Sequence, residues 1–263
     1  MKKILIIGST GLFGVNFISR LSDKYDLVCN IHMKKINISK NIKRLTLMNK
    51  KILKSEVLDI KPDFILNCSG LTDLAVCEKN KKLAFKSNYF TTKNLCQSIK
   101  GTKIKLIHIS TDHLFNGEKD ELYNEKDLKT PLNVYGLTKS KAEDEIRSSV
   151  KKYLIIRTNF FGWGTSYRNS ITDYIIKNLT LNKKVYLSKE TKFNPMYLGN
   201  LIDCVQKLIE MKKEGVFNIS TDTQLSKFDF GKKIAKIFNL NDKLIIPFED
   251  KKIIKPKNSD CQR

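Results

Sequence analysis

The segment that most constrains the fold is a glycine triplet near the N-terminus. Residues 3–7 (Lys-Ile-Leu-Ile-Ile) are typical of a buried parallel strand, and an apolar-periodic helix is predicted over about 12–22. Between them lie Gly8, Gly11 and Gly14. A glycine turn that joins a strand to a helix N-terminus presents unpaired N–H groups to a phosphate. The spacing G-x-x-G-x-x-G differs from the commoner G-x-G-x-x-G, but this setting predicts a dinucleotide site.

Strands and helices alternate along the first part of the chain, which predicts an α/β fold with a Rossmann-type, doubly wound parallel sheet. The predicted strands lie at 3–7, 26–32, 44–48, 63–67, 103–109 and 153–156, and the predicted helices at 12–22, 52–60, 74–99 and 135–149. From about Arg157 the pattern loosens, with shorter helices at about 170–180, 199–212 and 227–238. We expect a dinucleotide-binding domain over 1–156 and a smaller C-terminal substrate-binding lobe over 157–263, with the chain free to cross between them.

The formal net charge of +22 raises the question of a nucleic-acid or membrane partner. Only six of the 49 basic residues are arginine, however, and nucleic-acid sites favour arginine for bidentate contacts. We therefore expect a lysine-rich, solvated surface and no nucleic-acid partner. The apolar runs are too short to span a bilayer, so no membrane insertion is expected. The four apolar residues before Gly8 are also too few for a secretory signal.

The six cysteines form no C-x-x-C pair and no cluster with histidine. No metal site is therefore predicted, and a reducing cytoplasm is the expected compartment.

A second informative segment is Tyr135-Gly-Leu-Thr-Lys139, which places a phenol and an ammonium one helical turn apart. Thr111 follows a predicted strand, and ligands of such sheets bind beyond the carboxyl ends of the strands. A phenol has an unperturbed pKa of about 10, and a neighbouring ammonium would lower it toward neutrality. The combination predicts acid–base chemistry on a carbonyl or alcohol, coupled to hydride transfer.

The second strand bears on the choice of dinucleotide. A carboxylate is expected near its end to hold the ribose hydroxyls of NAD, but residues 30–35 read Asn-Ile-His-Met-Lys-Lys. Without that carboxylate, and with two lysines nearby, a 2′-phosphate would be better tolerated. We therefore expect NADP to be preferred, with NAD as the other possibility.

Longer strings around these residues resemble those of a known family. They are Asn-Cys-Ser-Gly-Leu-Thr at 67–72, Ser-Thr-Asp-His-Leu-Phe-Asn-Gly at 110–117, Pro-Leu-Asn-Val-Tyr-Gly-Leu-Thr-Lys at 131–139, Arg-Thr at 157–158 and Lys-Pro-Lys-Asn-Ser at 255–259. With Gly8–Gly14 they make the chain similar to the extended short-chain dehydrogenase/reductases, and most similar to the dTDP-4-dehydrorhamnose reductase family. The resemblance implies an NAD(P)H-dependent reductase of a nucleotide-linked 4-keto-6-deoxy sugar in surface polysaccharide synthesis.

The resemblance also implies roles for individual residues. Tyr135 would protonate the sugar's C4 oxygen, Lys139 would hold the nicotinamide ribose, and Thr111 would bind the substrate oxygen. The implied cofactor contacts also include Gly8, Thr10, Gly11, Leu12, Phe13, Gly14, His32, Gly70, Leu71, Thr72 and Ile109. The implied substrate contacts, besides Thr111, are Asp112, His113, Asn159 and Phe160, with His113 as a hydrogen-bonding residue rather than the general acid.

Several positions depart from the family pattern and leave the sugar open. Family members often carry an aromatic Y-V-F where this chain has His113-Leu-Phe115, a tryptophan where it has Phe160, and P-T where it has Pro195-Met196. Trp163 has two interpretations, stacking on substrate or packing within the smaller lobe.

Two other functions stay open at this point. One is a nucleotide-sugar epimerase or dehydratase of the same superfamily, and the other is a non-catalytic regulatory subunit that binds a dinucleotide. The expected state is a monomer or a homodimer.

Overall fold

A computed structural model describes residues 1–31, 41–119 and 122–248. His32 and residues 255–259 lie outside these ranges, so the expectations placed on them stay predictions. Within the described ranges, no helix combines the length and apolar character needed to cross a membrane.

The described residues form strands and helices in alternation. The strands are β1 (Lys3–Ile7), β2 (Asp26–Asn30), β3 (Asn41–Lys43), β4 (Phe64–Asn67), β5 (Lys105–Ile109), β6 (Tyr153–Arg157), β7 (Phe160–Phe161), β8 (Val185–Ser188), β9 (Lys192–Phe193), β10 (Met196–Tyr197), β11 (Gly215–Asn218), β12 (Leu225–Ser226) and β13 (Ile245–Phe248). The α-helices are α1 (Leu12–Leu21), α2 (Lys50–Ile60), α3 (Leu74–Lys79), α4 (Lys81–Ala84), α5 (Thr91–Ser98), α6 (Val134–Ser149), α7 (Ile171–Thr180), α8 (Leu198–Glu210) and α9 (Lys227–Ile237). A π-helical turn covers Phe85–Phe90, and a 3₁₀ turn covers Asp242–Leu244.

Seven strands form one parallel sheet in the order β11-β6-β5-β4-β1-β2-β3, which confirms the predicted α/β fold class. The strand order reverses at β1, because β2 lies on one side of it and β4 on the other. Ile7 of β1 is accordingly the register partner of Asn30 in β2 and of Asn67 in β4. Ligands of such sheets bind beyond the carboxyl ends of the strands at this reversal. The glycine turn that follows Ile7 therefore lies at the expected binding position.

The sheet is covered on both faces, which explains its nearly continuous apolar strands. Alternate residues of β1 enter different cores. Ile4 and Ile6 pack with the core that includes α1 and α8, whereas Leu5 and Ile7 pack with residues of α2, α5 and α6. All four side chains are fully buried.

The strand predicted at 44–48 is wrong, because the structure places β3 at Asn41–Lys43 instead. Side chains satisfy the backbone of the following residues. The N–H of Leu45 donates to Asn30 Oδ1 (2.9 Å), and the N–H of Thr46 donates to Glu56 Oε2 (2.9 Å). These backbone donors are therefore not available to a neighbouring strand.

The predicted helix at 74–99 is helical over most of its length but is divided. The first helix, α3, ends at Asn80. The Asn80 side chain accepts a hydrogen bond from the N–H of Leu83 (3.0 Å) and so caps the next helix, α4. The π-helical turn follows, and α5 completes the segment.

The chain after residue 157 returns to the sheet. Helix α8 packs its apolar face with α1, and β11 pairs with β6 at the sheet edge. A separate apolar core joins α7, α9, β8 and β13 around Phe193, Phe230 and Ile234. The division into 1–156 and 157–263 stays a prediction.

Candidate active site

A cleft of about 600 Å³ opens at the carboxyl ends of β1, β4, β5 and β6. Its lining comprises Gly8, Thr10, Gly11, Leu12, Phe13, Cys68, Ser69, Gly70, Thr72, Leu74, Ile109, Ser110, Thr111, Asp112, His113, Tyr135, Lys139, Thr158, Asn159, Phe160, Arg168, Thr191, Lys192, Phe193 and Lys227. Most of the residues predicted from the sequence are therefore brought together. Gly14 and Leu71 are not among the lining residues.

The glycine turn is shaped by a close approach of two backbone segments. Gly8 has a φ of +91°, and a Cβ on it would lie 2.6 Å from the backbone nitrogen of Ser69. Any side chain there would be strained and would separate β1 from the segment that follows β4. The N–H of Gly11 closes the turn by donating to the Gly8 carbonyl (2.9 Å). The turn leads directly into the N-terminus of α1, where a phosphate is favoured.

A buried asparagine fixes the opposite wall of the cleft. Asn88, in the π-helical turn, accepts from the N–H of Leu71 (2.7 Å) and donates to the Leu71 carbonyl (3.1 Å). Its amide also donates to Thr138 Oγ1 (2.9 Å), one residue before Lys139. Asn88 therefore ties the Gly70–Thr72 segment to α6. Sequence reasoning missed it, although an asparagine on the buried face of a helix is a usable signal.

Helix α6 begins with two caps that set the position of Tyr135. Glu78 Oε1 accepts from the N–H of Val134 (2.7 Å), and Asn133 Oδ1 accepts from the N–H of Gly136 (2.8 Å). A Cβ on Gly136 would lie 2.2 Å from the His113 carbonyl oxygen. Glycine here lets α6 meet the loop after β5, which brings the phenol next to that loop.

The polar groups around the Tyr135 phenol form a chain. Thr111 Oγ1 donates to Asp112 Oδ1 (3.1 Å), and Asp112 Oδ2 accepts from Asn159 Nδ2 (2.9 Å). Burial raises the pKa of Tyr135, its hydrogen bond with Thr111 opposes that rise, and Asp112 adds to it. The sequence predicted a lowered pKa, but desolvation outweighs the other effects in the protein alone. The phenol therefore keeps its proton, as a proton donor must.

Lys139 is buried at the base of the cleft, with only 3% of its surface exposed. Its Nζ donates to the Ile109 carbonyl (2.6 Å) and lies 3.0 Å from His108 Nε2. Burial lowers its pKa to about 8, although Glu143 one turn further along the helix opposes that shift. The amine and ammonium forms of Lys139 are therefore equally populated near pH 8, and the ammonium is favoured by about 1.4 kcal/mol at pH 7.

A buried ion pair stands behind these residues. Arg157 Nη2 donates to Glu143 Oε2 (2.8 Å), and Ser110 Oγ donates to Glu143 Oε1 (2.6 Å). Glu143 lies on α6, Ser110 at the end of β5 and Arg157 at the end of β6. One carboxylate thus joins the three elements that carry Tyr135, Thr111 and Asn159.

The remaining predicted residues take different places. The His113 ring packs edge-on against Tyr135, with the centroids 5.7 Å apart, and its Nδ1 lies 3.2 Å from Asn133 Nδ2. The Phe160 ring packs against Phe13 across the glycine turn (5.9 Å). Trp163 does not line the cleft. Its ring packs edge-on against Phe238 (5.8 Å), which favours the packing interpretation over substrate stacking.

Three cations lie at the mouth of the cleft, and sequence reasoning did not single them out. Arg168 and Lys192 are exposed, and Arg168 Nη2 donates to Thr72 Oγ1 (3.2 Å). Lys227 Nζ lies 3.2 Å from the centre of the Phe193 ring. Lysines are so frequent in this chain that their sequence positions carried no signal. The fold brings these side chains into the lining of the cleft that also holds the glycine turn, where they suit an anionic ligand.

The residues present fit a nicotinamide dinucleotide. The glycine turn leaves space for a pyrophosphate against the N-terminus of α1, and Gly70 and Thr72 flank the groove that leads from it toward Lys139. The groove ends at Tyr135 and Thr111. A dinucleotide laid along it could place its reactive ring beside the phenol.

Comparison with known proteins agrees with this geometry. Residues 1–260 match the family described as the RmlD substrate binding domain. The chain is 29% identical over 178 residues to a probable low-salt glycan biosynthesis reductase of Haloferax volcanii, a match that covers 66% of this chain but only 59% of that protein. It is 26% identical over 240 residues to a dTDP-4-dehydrorhamnose reductase of Aggregatibacter actinomycetemcomitans, covering 88% of this chain and 77% of that one.

The structural comparison points the same way. The crystal structure of a dTDP-4-dehydrorhamnose reductase from Bacillus anthracis, in complex with NADP, superposes with a TM-score of 0.87 at 26% identity and covers 100% of this chain and 91% of that one. The match of the family to nearly the whole chain settles the assignment. The chain belongs to the RmlD substrate binding domain family.

Proposed function

We propose that this protein is an NAD(P)H-dependent reductase of a nucleotide-linked 4-keto-6-deoxy sugar, of the dTDP-4-dehydrorhamnose reductase type. The observation that carries the proposal is one cleft that holds the glycine turn at one end and Tyr135, Thr111 and Lys139 at the other. The relatives named as dTDP-4-dehydrorhamnose reductases support it.

In this mechanism, a reduced nicotinamide dinucleotide supplies the hydride when it is bound. The chain's own residues bind the keto oxygen and deliver the proton. Tyr135, whose raised pKa keeps its phenol protonated, donates that proton to the oxygen of the ketone. Thr111 would turn its hydroxyl from Asp112 Oδ1, to which it donates in the protein alone, toward the same oxygen, and Asn159 holds Asp112 beside it.

The mouth of the cleft suits the nucleotide part of the substrate. Arg168, Lys192 and Lys227 come from the part of the chain after β6 and line the same cleft. A nucleoside diphosphate linked to the sugar carries negative charge that these side chains would attract.

The preferred cofactor is proposed to be NADP. Asn30, at the position near the end of β2 where NAD enzymes carry a carboxylate, uses its side-chain oxygen to hold the N–H of Leu45. Its amide carries no negative charge, and its oxygen already accepts one hydrogen bond, so it offers the ribose hydroxyls a weaker acceptor than a carboxylate would. The B. anthracis relative was solved with NADP.

The proposed process is surface polysaccharide synthesis, and the proposed compartment is the cytoplasm. Five cysteines in the described part of the chain are free thiols, as a reducing compartment would keep them.

The direct test mixes purified protein with NADPH and each of several nucleotide-linked 4-keto-6-deoxy sugars, and follows consumption of the reduced cofactor. Steady consumption with at least one sugar is expected. Cofactor binding without turnover of any of these sugars would favour the regulatory-subunit alternative. Cofactor that copurifies and shows no net turnover, while the sugar is converted, would favour the epimerase or dehydratase alternative.

A further inference from the structure

Lys139 contacts a fully buried histidine that the proposed mechanism does not use. His108 lies in the middle of the sheet on β5, and its Nε2 is 3.0 Å from Lys139 Nζ. Its Nδ1 is 3.2 Å from Asn67 Nδ2, on the neighbouring strand β4. A neutral imidazole has one nitrogen that donates and one that accepts. The hydrogen-bond partners of Asn67 decide which nitrogen of His108 donates and which accepts.

Two contacts fix the orientation of the Asn67 amide. The backbone N–H of Ser69 can only donate, and it points at Asn67 Oδ1 (3.3 Å). Thr92 Oγ1 donates to the Asn88 carbonyl (2.8 Å), so it must accept from Asn67 Nδ2 (3.1 Å). The amide nitrogen is therefore the atom that faces His108.

The tautomer of His108 follows from this orientation. Because Asn67 Nδ2 donates, His108 Nδ1 must accept, and the proton of the neutral ring lies on Nε2. That N–H points at Lys139 Nζ. An ammonium has no lone pair to receive it, whereas an uncharged amine does. The amine can then donate one N–H to the Ile109 carbonyl and keep the other for a ligand in the cleft.

We propose that His108 is a positioning residue that donates its Nε2–H to the Lys139 nitrogen and so stabilises the uncharged amine. Asn67 enforces this by holding the ring in one tautomer. Neither the tautomer nor the state of the amine rests on the proposed function.

The other charged and titratable groups around Lys139 leave this contact in place. Glu143, on the same helix, favours the ammonium but is itself paired with Arg157. Cys68, from the segment after β4, is a thiol whose pKa burial raises to about 12, so it carries no charge near neutrality. Burial holds the pKa of His108 well below its usual range, which keeps the ring neutral.

The first test measures the tautomer in the unmodified protein. The chain has three histidines, and nitrogen-15 NMR distinguishes the two neutral tautomers and the imidazolium of each. The His108→Gln variant assigns the signal. The expected result is a neutral ring with its proton on Nε2 above about pH 8, where Lys139 is an uncharged amine. A ring protonated on Nδ1, or an imidazolium in that range, would overturn the proposal.

The second test measures the titration of Lys139 by carbon-13 NMR of labelled lysine, with Lys139→Met to assign the signal. The His108→Leu variant removes the donor, and the apparent pKa of Lys139 should rise by about one unit, the effect of one hydrogen bond. His108→Gln can keep an N–H donor and should restore most of the shift. An unchanged titration in a folded His108→Leu protein would overturn the proposal.

These readouts separate the inference from the proposed function. If the tautomer and the Lys139 shift are as expected but no keto sugar is reduced, the proposed function fails and the positioning role of His108 stands. If a sugar is reduced but the His108 ring is protonated on Nδ1, the proposed function stands and the positioning role of His108 fails.

Discussion

Glu143 and Arg157 form an ion pair of 2.8 Å in which both side chains are almost completely buried. The pair joins α6 to the end of β6, and Ser110 extends it to the end of β5. The residues proposed for acid–base chemistry therefore depend on a charged contact within the core as well as on apolar packing.

Removing the charge of Glu143 should be costly, because it leaves the Arg157 guanidinium buried without a counter-ion. We expect Glu143→Gln to lower the free energy of unfolding by about 3–5 kcal/mol, measured by urea denaturation. The control is Asp203→Asn, which breaks the exposed Arg20–Asp203 pair and should cost about 1 kcal/mol or less. Equal effects of the two variants would contradict a structural role for the buried pair.

Glycine at position 136 should be required for the contact between α6 and the loop after β5. In Gly136→Ala the new methyl would lie 2.2 Å from the His113 carbonyl oxygen, so the two segments must separate. We expect kcat to fall about 10- to 100-fold through displacement of Tyr135 from Thr111. Leu137→Ala changes an exposed neighbour on the same helix and should leave kcat nearly unchanged. A fully active Gly136→Ala enzyme would argue against this positioning.

Buried Lys139 should make stability depend on pH in a defined window. Its pKa is about 8 in the folded protein and near the ordinary 10.5 in the unfolded chain. Between these values the unfolded chain binds a proton that the folded protein does not, so this contribution to stability rises with pH. Below the window the cost of burying the ammonium is fully present.

Lys139→Met removes that cost and provides the comparison. The variant's advantage in unfolding free energy over the wild type should shrink by about 3 kcal/mol from pH 7 to pH 10.5. Urea denaturation at a series of pH values checks this. A difference that is independent of pH would mean that Lys139 titrates normally in the folded protein.

Much of the sheet was predictable from the sequence because its strands are short apolar runs that end at punctuating residues. The strand at Lys3–Ile7 and the helix at Leu12–Leu21 match the prediction closely. Residues 44–48 misled the prediction, since their apolar alternation suits a strand but Asn30 and Glu56 hold the backbone from a distance. Periodicity carries no information about such long-range partners.

Part of the site was predictable from the sequence, because it depends only on residues that are close together along the chain. Tyr135 and Lys139 are one helical turn apart, so their meeting follows from local geometry. Asn88, Glu143 and His108 are far from each other in sequence, and their roles depend on which helix faces which strand. The raised pKa of Tyr135 depends on burial, which the motif does not report.

The cations at the mouth of the cleft should affect the nucleotide sugar and not the cofactor. In Lys227→Met we expect KM for the sugar to rise up to about 5-fold, with KM for NADPH and kcat little changed, since a partly exposed charge contributes about 1 kcal/mol. Lys236→Met, an exposed position on the same helix that does not line the cleft, serves as the control. A change in KM for NADPH alone would place the cofactor, rather than the sugar, against Lys227.

The central claim is that this cleft transfers a hydride to a sugar ketone while Tyr135 supplies the proton. The most direct measurement uses NADPH deuterated at the transferable position and locates the label in the product by NMR and mass spectrometry. We expect one deuterium at C4 of the sugar with the wild type, and a rate at least about 100-fold lower in Tyr135→Phe with NADPH affinity retained. Product without deuterium at C4, or a Tyr135→Phe enzyme as fast as the wild type, would contradict the account.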